Sequence, residues 1–395
     1  MFFEAANVRF FGESQKFKEE ICNFAPSRCY FMYLHRILIT DFKNIREAAL
    51  TFSPKINCFS GNNGAGKTNI LDAIYYLSVT KSYFGQTDTQ SIRFGAPFFA
   101  LSGHYHFDQA PQEHIHCAVK ADGEKTMKRN DKVYARFSEH LGLLPLVMVS
   151  PSDTQLIHAP AEERRRFMNV LLAQVDVPYL SLVQQYNQVL LQRNRYLKEG
   201  MNAADVLSVL DKQLSDKGQA IYEKRKTLCE VLAPEVEKYY GLLSGKQEVV
   251  GLQYRSDLDE AALEELLQAS LARDQFLHYT SQGVHRDDML WSIDGHPIKK
   301  FGSQGQQKTF LVALKLAQFE IMKTRSGLSP LLLLDDVFDK LDMDRVAYLL
   351  RLVVNAHFGQ IFLTDSNKAR IENVVHEITD DHAFFKVSAG EVTQL

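Results

Sequence analysis

The stretch Gly61-Asn62-Asn63-Gly64-Ala65-Gly66-Lys67-Thr68 restricts this chain more than any other feature. Its spaced glycines, lysine and hydroxyl make a Walker A loop, which works only between a buried strand and a helix. Both flanks qualify, since residues 55–60 read as a buried strand and residues 69–77 as an amphipathic helix. The glycines let successive N–H groups converge on anionic oxygens at the positive end of a helix dipole. Lys67 is then placed to reach the β- and γ-phosphates of ATP, and the Thr68 hydroxyl to ligate Mg2+.

The acids that complete such a loop lie near the other end of the chain. Residues 331–336, four leucines followed by Asp335 and Asp336, read as a buried parallel strand with carboxylates at its carboxyl edge. That edge is where ligands bind in open α/β sheets. Asp335 is expected to share the Mg2+ with Thr68, and Asp336 to orient or deprotonate the attacking water. Alone, two acids after an apolar strand are equally well a solvated turn; the Walker A loop in the same chain decides for chemistry.

Upstream, residues 301–308 precede a helix expected over 309–323, with Phe310, Ala313, Leu314, Ala317 and Ile321 on its apolar face. Ser303, Gly305 and Gln306 match the Ser-x-Gly-Gln signature of ABC-type ATPases, physically a second phosphate nest at a helix N-terminus. A polar N-cap turn is the plainer alternative. In those ATPases the signature faces ATP held by the other subunit, which implies an ATP-dependent homodimer. Asp339 and Asp342 fall where such proteins carry a loop lining that interface.

From Met32 onward the chain resembles the RecF family, bacterial recombination mediator ATPases related to SMC-type heads. Five segments carry the likeness: residues 32–45 with their Phe42-Lys43-Asn44 turn, Pro151-Ser152-Asp153 with 162–167, Gln192-Arg193-Asn194 with Lys198, residues 283–288, and residues 334–342. The resemblance implies an α/β fold, an ABC-type P-loop ATPase head with an inserted, mostly helical arm. It also implies binding to single-stranded and linear double-stranded DNA or gap junctions, dimerisation on ATP, and weak DNA-dependent hydrolysis used as a switch. Recombinational repair, replication restart, SOS induction and partners of the RecR and RecO kind come with it. Two departures point to slow turnover: Asp336 stands where transporters have Glu, and no His follows Thr364 to sense the γ-phosphate. Residues 1–31 lie outside the likeness.

Strand patterns at 36–42, 50–52, 98–107, 113–120 and 146–149 give way to helical spacing from about 152 to 282, punctuated by Pro178, Gly200 and Pro234. The expected division is therefore an extension at 1–31, a first head part at 32–150, a helical arm at 151–282 and a second head part at 283–395. The arm is too short and too broken for a long coiled coil, which speaks against a head gating a separate nuclease; Asp336 and the missing His speak against a transporter subunit. His285-Arg286-Asp287-Asp288 is expected near the hinge between lobes, contacting nucleotide or DNA.

Five scattered cysteines indicate a reducing cytoplasm, and no apolar run is long enough to span a membrane. A net charge of −3 gives no global sign of DNA binding, so affinity must come from local clusters. Lys120, Lys125, Lys128, Arg129, Lys132 and Arg136 form one, around a hairpin turn at Asp122-Gly123. Arg164, Arg165 and Arg166 form another, and Arg193, Arg195 and Lys198 a third. Each could equally be a solvated face, and the sequence does not say which of them meets phosphate.

Overall fold

The computed structural model describes residues 30–108, 110–200, 204–245, 248–337, 348–353, 358–366 and 368–395. In chain order its strands are β1 (Met32–Phe42), β2 (Ile45–Thr51), β3 (Ile56–Ser60), β4 (Phe98–Phe107), β5 (Ala110–Lys120), β6 (Lys125–Arg129), β7 (Lys132–Val133), β8 (Leu146–Val149), β9 (Val250–Arg255), β10 (Asp288–Ile293), β11 (His296–Pro297), β12 (Leu331–Asp335), β13 (Ile361–Asp365), β14 (His382–Ser388) and β15 (Glu391–Gln394). Two compact units result: 154–317 forms one, while the described residues up to 153 and from 318 onward form the other.

In the unit built from both ends of the chain, one sheet runs β15-β14-β3-β13-β12-β8. Its strands from β14 to β8 are parallel, and β15 is added antiparallel at the edge. Every residue of β12 and β13 is buried, as strands covered on both faces require, and both are apolar until their carboxyl ends, where Asp335, Thr364 and Asp365 stand. A second, antiparallel sheet runs β2-β1-β4-β5-β6-β7. Helix Lys67–Val79 packs against strands of both sheets, and every residue from Ile70 to Ser78 is buried. The amphipathic helix expected at 69–77 is thus buried all round, because a sheet on either side leaves no face for water. Phe52, Phe59, Phe362 and Phe385 meet in edge-on and stacked contacts beside the parallel strands.

The 154–317 unit is built on helices Ala161–Val175, Val177–Lys198 and Ala204–Ser244. Pro234 does not punctuate the last of these. It sits inside an unbroken run of 41 residues, where the buried side chains of Leu232, Val236, Tyr239 and Tyr240 hold the helix on either side of the lost hydrogen bond. The block is not helical throughout: β9 pairs antiparallel with β10, from Arg255 opposite Asp288 to Val250 opposite Ile293. A six-residue strand whose partner lies this far along the chain leaves only a weak local pattern. Towards its end the helical spacing resolves into two short helices, Leu263–Ala269 and Leu271–Leu277. Residues 283–317, expected with the head, fold in the same compact unit as the helices. Among the described residues no helix is long and apolar enough to cross a membrane.

Candidate functional site

The end of β3 turns into the loop Gly61–Gly66, with Asn62, Asn63 and Gly64 exposed at its tip and Ala65 and Gly66 buried at its base. Two glycines are required by what surrounds them. A Cβ on Gly61 would lie 2.2 Å from the carbonyl oxygen of Val387 on β14. Gly66 has φ of 117°, where a side chain is strained, and a Cβ there would approach Asn44 Oδ1 to 2.8 Å. Gly66 is also the N-cap of helix Lys67–Val79, so no side chain caps the first-turn amides. Lys67 is buried, and its ammonium donates to the carbonyls of Gly61 at 2.8 Å and Asn62 at 3.2 Å.

The two ends of the chain meet at the next residue. Thr68 Oγ1 lies 2.9 Å from Asp335 Oδ1 and 3.1 Å from Oδ2. This contact spans a strand, because β13 lies between the loop strand β3 and the acidic strand β12. The intervening strand contributes Thr364, whose hydroxyl donates to Asp335 Oδ1 at 2.8 Å and accepts from the Asp336 N–H at 2.9 Å. Burial raises the pKa of the Asp335 carboxyl; the Thr364 and Thr68 hydroxyls pull it back, and the Asp336 charge adds to the rise. Asp336 is half-buried at the strand end with φ of 45°, a left-handed conformation that Asp tolerates better than most residues with a side chain.

Asn44 and Gly390 were not singled out as loop supports by motif reasoning. Asn44, in the β1–β2 turn, donates from Nδ2 to the Ala65 carbonyl at 3.2 Å and accepts from Asn69 Nδ2 at 2.8 Å. The Gly390 N–H donates to the same Ala65 carbonyl at 2.8 Å. Nearby, Lys43 pairs with the fully buried Asp72 at 2.6 Å, and Asp72 also accepts from Ser82 Oγ and the Tyr83 N–H. The turn carried by the family likeness therefore braces the phosphate loop from behind.

Ser303, Gln304 and Gly305 are exposed in the 154–317 unit. Helix Gln304–Ser326 begins well before the expected position 309 because Ser303 caps it: Ser303 Oγ accepts from the Gln306 N–H at 3.3 Å, and Gln306 Oε1 accepts in return from the Ser303 N–H at 2.7 Å. The structure thus shows the N-cap turn, with Ser303, Gln304 and Gly305 open to solvent. The loop at Asp339 and Asp342 lies outside the described residues.

The basic clusters fare differently. In the first, Lys125 is bound to Tyr76, Asp88 and the Thr80 carbonyl, Arg129 to Glu113, and Lys120 to Glu124; Lys132 and Arg136 stay exposed. In the second, Arg164 grips both oxygens of Asp288 at 2.6 and 3.1 Å, and Arg165 donates to the Asp287 carbonyl at 2.7 Å. In the third, Arg193 is completely buried between Asp211 at 2.6 Å and Asp274 at 2.7 Å. Arg195 pairs with Glu199, while Lys198 is exposed.

Residues 285–288 belong to the same lattice. Asp287 pairs with the buried Arg225 at 2.9 Å, and the His285 imidazole sits between the Tyr186 hydroxyl at 2.9 Å and the Thr280 carbonyl at 3.0 Å. Burial pushes the His285 pKa down to about 4, so it is a neutral, satisfied core histidine. The likeness segments 162–167, 192–194 and 283–288 thus all contribute to one buried polar lattice.

Residues 33–384 match the RecF/RecN/SMC N-terminal domain family. A DNA replication and repair protein RecF of Parabacteroides distasonis is 46% identical over 361 residues, covering 91% of this chain and 99% of the relative. The protein of the same description from Bacteroides thetaiotaomicron is 42% identical over 365 residues, covering 92% and 99%. A solved structure described as the recombination mediator protein RecF with ATP in the RecFOR pathway superposes with a TM-score of 0.84 at 29% identity, covering 94% of this chain and 99% of that one. An Smc head from Pyrococcus furiosus shares the fold alone, with a TM-score of 0.55 at 17% identity over 92% of this chain and 96% of that one. With loop, acidic strand and helical insertion in this arrangement, the chain is a member of the RecF family of DNA replication and repair proteins, an α/β ABC-type ATPase head with an inserted, mostly helical arm.

Proposed function

We propose that this chain is an ATP-dependent DNA-binding switch: ATP joins two copies into a dimer held on DNA, and slow hydrolysis releases them. The observation that carries this reading is the contact of the Thr68 hydroxyl with both oxygens of Asp335. A hydroxyl and a buried carboxylate are hard oxygen donors, the set that suits Mg2+ beside phosphate. The residues therefore fit: Thr68 and Asp335 would hold the cation, which when bound neutralises charge on the β- and γ-phosphates. Lys67 exchanges its loop carbonyls for phosphate oxygens, and the uncapped amides of the first helical turn close on the same group. Asp336, anchored through its N–H to Thr364, orients the attacking water, and its short side chain is consistent with slow turnover.

The exposed Ser303 and Gly305 with Gln306 supply the nest for a second copy's ATP. Phosphate of single-stranded or linear double-stranded DNA, or of a gap junction, is met by the basic side chains left exposed, Lys132 and Arg136 foremost, next to the exposed Val133 and Phe137. The family relation supports a role in recombinational repair, replication restart and SOS induction alongside mediators of the RecR and RecO kind, in the cytoplasm.

DNA affinity measured against salt, with and without ATP, tests this reading. Replacing Lys132 and Arg136 by Gln should weaken binding on all sequences and lower the salt slope by about 1 to 2. An unchanged slope moves the interface elsewhere, and DNA affinity indifferent to ATP removes the switch.

A further inference from the structure

The signature serine is held by Gln306 of the same motif, and Gln306 in turn by a residue outside it. Gln306 Oε1 accepts from the Ser303 N–H, and the Gln306 N–H donates back to Ser303 Oγ at 3.3 Å. An amide side chain can present either its oxygen or its nitrogen, and here Glu248 decides. Gln306 Nε2 donates to Glu248 Oε1 at 2.7 Å, and a carboxylate, being acceptor-only, takes the nitrogen end. The oxygen end is thereby left for Ser303.

The second oxygen of Glu248 accepts from the Tyr240 hydroxyl at 3.1 Å. Tyr240 is a buried residue of helix Ala204–Ser244, close to its carboxyl end. The backbone next to Glu248 is clamped too: the Val249 N–H donates to Asp294 Oδ1 at 2.9 Å, and the Asp294 N–H donates to the Val249 carbonyl at 2.7 Å. Glu248 therefore stands on a fixed point where the longest helix gives way to β9, with one oxygen for the helix and one for the signature.

We infer that Glu248 is a positioning residue: it sets the Gln306 amide, and through it Ser303, and ties that geometry to the end of the long arm helix through Tyr240. A ligand that shifts this helix end is then felt at the face offered to the second copy. The inference rests on the signature reading proposed above.

The test uses the full chain and three readouts: ATP affinity of the monomer, the ATP-dependent dimer constant from analytical ultracentrifugation, and the thermal midpoint. Glu248→Ala should weaken the dimer about tenfold, with ATP affinity unchanged and the midpoint within about 2 °C. Glu248→Gln keeps one oxygen for Gln306 Nε2 and should recover most of the loss. Tyr240→Phe, which removes a single hydroxyl, should cost about twofold to threefold. A Glu248→Ala dimer as tight as the parent overturns the inference, as does a loss matched by lower ATP affinity or a lower midpoint, or no recovery in Glu248→Gln. Ser303→Arg, run in parallel, separates the two levels. If Ser303→Arg fails to dimerise while Glu248→Ala dimerises normally, the signature reading stands and the positioning role falls; if Ser303→Arg itself dimerises normally, the signature reading falls and takes the inference with it.

Discussion

The carboxyl edge of the parallel sheet and the interior of the 154–317 unit both gather charge, and they do opposite things with it. At the sheet edge Lys67 leans on loop carbonyls and Asp335 on hydroxyls, neutral partners that a phosphate or a cation can replace. In the helical unit Arg193 closes on Asp211 and Asp274, Arg225 on Asp287, and Arg164 on Asp288. Charge paired with charge is committed to architecture. Charge held by weaker dipoles stays available for a ligand, and this distinguishes a site from a scaffold within one chain.

The largest effect expected from this contrast is in the scaffold. Arg193→Met should destabilise the protein by about 3–5 kcal/mol in thermal or denaturant unfolding, because two buried carboxylates lose their partner. Nucleotide affinity of the folded fraction should not move; a parallel loss of ATP binding would break the contrast. Lys67→Arg should do the reverse. The planar, longer guanidinium does not fit the loop, so ATP affinity should fall about a hundredfold while the unfolding midpoint stays put. The smallest effect sharpens the site further. Burial raises the Asp335 pKa, so a proton competes with the cation at a higher pH than for an ordinary Asp. Mg2+-dependent ATP binding should accordingly weaken a fewfold as pH falls from about 7 into the mildly acidic range, and Asp335→Asn should lose this dependence. A Mg2+ affinity flat over that range would contradict the shift.

The site was far more legible in the sequence than the scaffold. Residues 61–68 and 331–336 can be read locally, since a glycine loop and an acidic strand end each take only a few residues and carry the residue types that the proposed phosphate and cation call for. Thr364 escaped that reading as a partner of Asp335 because its role depends on β13 lying between β3 and β12, a fact of sheet order. Asn44 escaped as a brace because its target, the Ala65 carbonyl, is backbone and leaves no sequence mark. The basic clusters stayed ambiguous for the same reason. Arg164 meets Asp288 and Arg193 meets Asp274, partners set by the tertiary fold, so a run of positive charge could not say whether it faced water or an acid. Strand β9 was hidden because it pairs with β10, beyond two further helices.

Thr68 and Asp335 are proposed to serve one cation, and a double-mutant cycle on Mg2+-dependent ATP affinity tests this directly. Thr68→Val, Asp335→Asn and the pair should give losses that fall short of additive by about 1 kcal/mol or more, since removing either residue already spoils the shared ligand set. Strict additivity, with each change acting alone, would contradict it.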